Sequence, residues 1–220
     1  QGNPILNQDD IYTGVPYALG LRDDADLFED KLNSHLAGPA ATATKEPILA
    51  GEIDRVHSSE FTGLDCSGFI SNCLGFPDLR KNNSYTLWHP GTIHLKNDEY
   101  YLTDSISWEE LCPGDILVKY ESVPNNGKVS IHQHAALTSG SGASGNTIKT
   151  YESAPRFKNT ATQRMEYRTK VDESEYVKRS DGKIYRCDGG TEYEPRRFSP
   201  PYVKKVRIYK EGVVKGIVED

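Results

Sequence analysis

The sequence predicts an α+β fold, one short buried helix packed on an antiparallel sheet, and three observations carry that expectation. The segment GLDCSGFISNCLGFPD (residues 63–78) has the caps and the apolar spacing of a helix. The runs ILV (116–118), VSIHQHAALT (129–138) and TIKTYESAP (147–155) read as strands. Turn signals at Pro113-Gly114 and Asn126-Gly127 set reversals before the first run and between the first two. The 220 residues suit one domain spanning 1–220, with insertions expected near 22–60 and 156–200.

Taken in order, residues 11–21 (IYTGVPYALGL) form a turn and a small-residue apolar stretch. Leu27, Phe28, Leu32 and Leu36 then recur at helical spacing and Gly38-Pro39 ends the run, so an amphipathic helix is expected. Residues 40–63 mix Ala, Thr, Pro and charges without a period and read as a covering loop. Asp65 or Ser67 can cap the next helix, whose Phe69, Ile70, Cys73 and Leu74 share a core-facing stripe before the stops Gly75 and Pro77. Ile116, Leu117 and Val118 form the unbroken apolar run of a central strand. Along 129–138, Val129, Ile131, Ala135 and Leu137 alternate with Ser130, His132, His134 and Ala136. The SGSGASGN loop leads into a third strand of the meander. Residues 156–201 are polar, turn at Ser180-Asp181-Gly182, and are expected as a second decoration, and 202–210 (YVKKVRIYK) read as the last strand.

Composition narrows the function. Lys and Arg total 26 against 32 Asp and Glu, giving a formal charge of −6, so no sequence-wide field attracts polyanions and nucleic acid is not expected as a partner. A mean hydropathy of −0.64, with no apolar run near the roughly 20 residues a membrane helix needs, leaves no spanning segment expected. Four cysteines are too few for a disulfide scaffold and no CxxC pair suggests a zinc ribbon, so each thiol is judged by its own surroundings. The start at Gln1 and the 13 Tyr against a single Met fit an exported, extracytoplasmic protein whose signal peptide has been removed.

A thiol becomes a nucleophile when its pKa falls, and a helix N-terminus lowers it by presenting partial positive charge and free N–H groups. Cys66 meets this requirement, whereas Cys73, two turns on, is expected to be structural. A lone cysteine in an apolar setting is more often a small buried hydrophobe, so the assignment needs a base. His132 and His134 share a strand face and either can serve; His134, followed by Ala-Ala-Leu, lies deeper in the sheet. The His-x-His pair would also suit two ligands of a metal ion, but no spacing motif supplies a third. A third group usually orients the imidazole. If the loop between the second and third strands closes symmetrically, paired residue numbers sum to about 285, which sets His134 opposite Tyr151 and turns Glu152 to the other face. A one-residue asymmetry brings Glu152 to the His134 face, and the pattern alone does not choose.

The order GVPYALG, GLDCSGFI, a PGD turn with an apolar strand, then HAAL and a strand ending YESAP resembles the NlpC-type family of bacterial cell-wall cysteine peptidases, which are papain-like in fold. The resemblance covers somewhat under half the chain. It implies Cys66 as nucleophile, His134 as base and Glu152 as the third polar residue, and it favours the register that turns Glu152 toward His134. It further implies that Tyr17, Asp65 and Ser67 line the substrate side, where in some members the last two hold the free amine of an N-terminal L-Ala. The expected reaction is hydrolysis of a peptidoglycan stem peptide between D-γ-glutamate and a diamino acid, with no cofactor required. Two departures bear on this. The 48 residues between Tyr17 and Cys66, and the 45 after Pro155, are long insertions that can rebuild the specificity side, and Glu stands where His is commoner. Another acyl-transfer enzyme on the same fold, an amidase or acyltransferase, and a catalytically silent cell-wall binding module are the other readings.

Overall fold

The computed structural model describes residues 26, 27, 30, 64–75, 95, 102–140, 145–154, 156–158, 162, 165–167, 172–187, 190, 192–200 and 203. Asp26, Leu27 and Asp30 are helical, and the rest of the expected helix near Leu27 to Leu36 lies outside the described residues, as does the 40–63 loop.

Helix α1 (Cys66–Cys73) starts where Asp65, in extended conformation, accepts a hydrogen bond from the Gly68 N–H through its side chain, leaving one fewer orphan donor in the first turn. It stops at Gly75, whose positive φ of 64° suits a residue without a Cβ. Residues 66–71 are all buried whatever direction they point around the axis, whereas 72–75 are not. The helix therefore runs from the interior to the surface. That corrects the expectation for Cys73: depth along the axis, rather than the apolar stripe, decides its environment, and it is exposed.

The sheet is antiparallel throughout. It comprises β1 (Thr103–Ser105), β2 (Ile116–Asn125), β3 (Lys128–Thr138), β4 (Thr147–Glu152), β7 (Asp172–Lys178), β8 (Ile184–Arg186) and β9 (Glu194–Phe198), in the spatial order β1-β9-β2-β3-β4-β7-β8. A separate two-stranded ribbon pairs β5 (Arg156–Lys158) with β6 (Met165–Tyr167). Asn126 and Gly127 take φ of 46° and 76° and close the β2–β3 hairpin across Asn125 and Lys128, the primed turn that Asn-Gly favours. With one helix against an antiparallel sheet, the described residues are of the α+β class.

Two cores sandwich the middle of the sheet. On one side Leu64, Phe69 and Ile70 meet Ile116, Val118, Ala135 and Phe198; on the other Leu117, Ala136 and Ile148 meet Trp108, Leu111, Tyr176, Ile184 and Tyr193. That is why Ile116 to Val118 read as an unbroken apolar run.

One expectation about the C-terminal part is corrected. The polar segment after Pro155 is not a decoration on the sheet but part of it, supplying β7, β8 and β9, with the Asp181-Gly182 turn joining β7 to β8 as the sequence indicates. The strand next to β2 on its far side is β9; of the strand expected at 202–210 only Val203 is described, helical with its N–H donating to the Ser199 carbonyl, and the remainder lies outside the described residues. Arg196 and Arg197 fasten β9 in place. Arg196 donates to the hydroxyl and carbonyl of Thr103, and Arg197 pairs in two-pronged fashion with Asp115 of the Pro-Gly-Asp turn at 2.7 Å.

Candidate active site

The β3–β4 register sets the site. Leu137 pairs with Tyr151 and Thr138 with Thr150, so paired residue numbers sum to 288 rather than 285. The even sum puts His134 and Glu152 on the same face, which overturns the symmetric-loop expectation; the shift is three rather than the one residue of the asymmetric alternative, and an odd shift of either size turns Glu152 to the His134 face. These are the only residue pairs that β3 and β4 form; beyond them the strands part, β3 following β2 and β4 following β7. The start of α1 reaches the mouth of this fork. The Ser153 hydroxyl donates to the Leu64 carbonyl at 2.9 Å, and Cys66 is hydrogen-bonded to His134.

His134 Nε2 lies 2.6 Å from Glu152 Oε2. Glu152 is fully buried, and its two oxygens meet four donors: His134 and the Tyr176 hydroxyl (2.9 Å) at Oε2, the Ser174 hydroxyl (2.5 Å) and the Arg186 guanidinium (3.0 Å) at Oε1. Tyr176 and Ser174 donate to Glu152 whichever tautomer His134 adopts, and the Arg186 charge beside Oε1 favours the ionised form of the group. In that form His134 Nε2 carries the proton of the contact, and Nδ1 is the nitrogen left for Cys66.

Burial works against a charge on His134, but the Glu152 carboxylate, the hydrogen bonds to Cys66 and Glu152 and the charge of Cys66 outweigh it, and the imidazole pKa rises from 6.5 to about 9. At neutral pH the ring is an imidazolium facing a sulfur at a helix start, the arrangement that supports a thiolate. Tyr176 and Tyr193 cross edge to face at 4.8 Å between ring centres. Burial first and the Glu152 charge second raise the pKa of both phenols, so both stay protonated, and the Tyr176 hydroxyl donates to Glu152. The Tyr193 ring also stands edge-on to His134, 6.4 Å away at 88°.

Of the residues the sequence singled out, Cys66, His134 and Glu152 come together. Asp65 and Ser67 are buried at the helix start, where Asp65 Oδ1 accepts from the Gly68 N–H at 2.6 Å and from the Ser67 hydroxyl at 2.9 Å. Tyr17 lies outside the described residues, as does the side chain of His132, whose backbone pairs with Glu121. Ser174, Tyr176, Arg186 and Tyr193 were not anticipated. The sign was present in DESEYVK, where Ser174 and Tyr176 alternate with Glu173 and Glu175 as the buried and exposed sides of a strand do. Tyr193 also lines a cleft of about 840 Å³ with Trp108, Tyr120, Glu121 and Tyr185; neither Cys66 nor His134 lines it.

Among the described residues all four cysteines are free, no group of three or more His, Cys, Asp or Glu side chains is gathered to hold a metal ion, and no helix is long and apolar enough to cross a membrane. Comparisons with protein-family models, with curated proteins and with solved structures find no match.

Proposed function

We propose that the protein is a papain-like cysteine peptidase that hydrolyses peptidoglycan stem peptides, through Cys66, His134 and Glu152, outside the cytoplasm. The observation that carries the reaction class is the chain of contacts from a helix-start thiol through His134 to a buried carboxylate, with the imidazole held charged. The order of the motifs around Tyr17, Cys66, His134 and Glu152 carries the substrate class.

In this reading the Cys66 thiolate attacks the amide carbonyl, and the developing oxyanion is met by the Cys66 backbone N–H at the positive end of α1. His134 then delivers the Nδ1 proton to the leaving amine, giving an acyl-enzyme. Water deprotonated by the same nitrogen cleaves the thioester and restores the thiolate and imidazolium. Glu152 stays ionised throughout and stabilises the imidazolium, the part a carboxylate plays beside histidine in other nucleophile triads. Asp65 and Ser67 flank Cys66 in sequence, and in this reading they meet the amine end of the substrate. The scissile bond proposed is that between D-γ-glutamate and the diamino acid.

The test is incubation with defined muropeptides, with products identified by mass and Cys66→Ala as control. Cleavage at that bond supports the reading. Cleavage of a different amide, or transfer to an added amine, assigns the same three residues to another acyl-transfer reaction, and binding without turnover removes the enzymatic reading.

A further inference from the structure

We propose that Arg186 is a positioning residue for this site: by pairing with Glu152 it keeps the proton of the Glu152–His134 contact on the imidazole, and so holds Cys66 and His134 as a charged pair. The inference rests on the reading of these three residues as the reacting set.

A proton lying between Nε2 and Oε2 at 2.6 Å has two resting places. It gives either imidazolium and carboxylate, or neutral imidazole and carboxylic acid. Away from water the neutral pair is favoured, because two ions lose their hydration there. Something must offset that loss. The hydroxyls of Ser174 and Tyr176 orient the carboxylate but bring no net charge. Besides the ring itself, Arg186 brings a permanent positive charge, 3.0 Å from Oε1, the oxygen away from His134. Its guanidinium cannot give up its proton, so it fixes the carboxylate as an anion. It also donates toward the Ser174 hydroxyl at 3.4 Å, which turns that hydroxyl's own hydrogen onto Oε1. A carboxylate in a solvent-free position calls for a cation, and β8 brings it.

The ionisable groups around His134 are consistent with that assignment. They are Cys66 from α1, Lys119 from the paired position on β2 with Glu121 beyond it, Glu152 from β4, Tyr176 from β7, Arg186 from β8, and Tyr193 before β9. Lys119 is half-buried, has its pKa lowered by burial, and lies over the Tyr193 ring rather than on Glu152.

The experiment follows the His134 ring by NMR in the full chain labelled in histidine, with the resonance assigned by its loss in His134→Gln. The wild-type ring is expected to lose its proton at about pH 9. In Arg186→Met its proton affinity falls at least tenfold, so it titrates below about pH 8. Arg186→Lys restores most of the affinity. Arg186→Gln, which keeps a donor for Glu152 without the charge, behaves as Met does. Arg186 sits on a three-residue edge strand, where Gln is accommodated, so Gln decides the question if Met prevents folding. Wild-type titration of His134 in folded Arg186→Met or Arg186→Gln overturns the inference. The readout needs no substrate: shifted titration without muropeptide cleavage sinks the substrate reading alone, and cleavage with unshifted titration sinks this inference alone.

Discussion

His134 and Glu152 meet at 2.6 Å across an opening that the backbone does not bridge, because β3 and β4 pair only at Leu137–Tyr151 and Thr138–Thr150. Side-chain charge and hydrogen bonding, rather than the ladder, hold the imidazole. The chemistry of the contact is therefore open to single substitutions that leave the sheet standing.

Limiting iodoacetamide at pH 6 should label Cys66 before Cys73, Cys112 and Cys187, although those three are exposed and Cys66 is buried. Among the described residues Cys66 is the thiol hydrogen-bonded to His134, and a charged imidazole beside a sulfur favours its alkylation over that of a more exposed one. Peptide mapping by mass reads the order of labelling. Faster labelling of the exposed three would remove Cys66 as the nucleophile.

His134→Ala should lower kcat/KM by roughly a hundredfold to ten thousandfold, the range that a positioned acid–base group contributes. His132→Ala should leave most of the turnover. The reverse result would mean that the strand is misregistered by two residues.

Glu152→Ala strips Arg186, Ser174 and Tyr176 of a shared buried acceptor and should cost about 3 to 5 kcal/mol of stability by urea denaturation, as breaking a buried ion pair does. Glu152→Gln keeps an acceptor for the His134 N–H and should fold better, with turnover reduced because the charge is gone. Equal, wild-type-like activity in both would show that another group orients the ring.

The imidazole pKa is raised in the folded chain from 6.5 to about 9, so its protonation favours the folded state fully below pH 6.5, and that contribution is lost as pH rises through about 9. The stability difference between wild type and His134→Gln should shrink between pH 6 and pH 9.5. Over the same interval kcat/KM should fall with an alkaline limb near 9, because the proton for the leaving amine is gone. A limb near 6.5 would place His134 outside the coupled site.

Asp65 has two separable parts to play. Asp65→Asn keeps a capping oxygen and should fold normally, whereas Asp65→Ala should cost about 1 kcal/mol through the lost cap of α1. If Asp65 also meets a free substrate amine, N-acetylation of L-Ala-D-γ-Glu-diaminopimelate should lower kcat/KM in the wild type and make no difference in Asp65→Asn. Equal rates on both peptides in the wild type would confine Asp65 to the cap.

The helix start, the Asn126-Gly127 hairpin and the face shared by His134 and Ala136 were legible because caps, primed turns and alternation are local. The placing of Glu152 was not, since a three-residue change in register sum depends on how an eight-residue loop closes. β9 was missed because Glu-Pro-Arg-Arg-Phe carries a proline and two arginines where a strand is expected to carry apolar residues. Pro195 is accommodated where the β1 ladder has already ended, at Ser105–Arg196, and the arginines are satisfied by Thr103, Glu194 and Asp115.

The partners of Glu152 come late in the chain. A polypeptide emerging from synthesis as far as Pro155 already contains Cys66, His134 and Glu152, but none of Ser174, Tyr176 and Arg186. Until residues 172–187 arrive and β7 pairs with β4, the carboxylate has water for company and the imidazole has no fixed neighbour. On the reading of Cys66 as nucleophile, the site is completed only when β7 and β8 are made, so a chain that ends before them is expected to be inert.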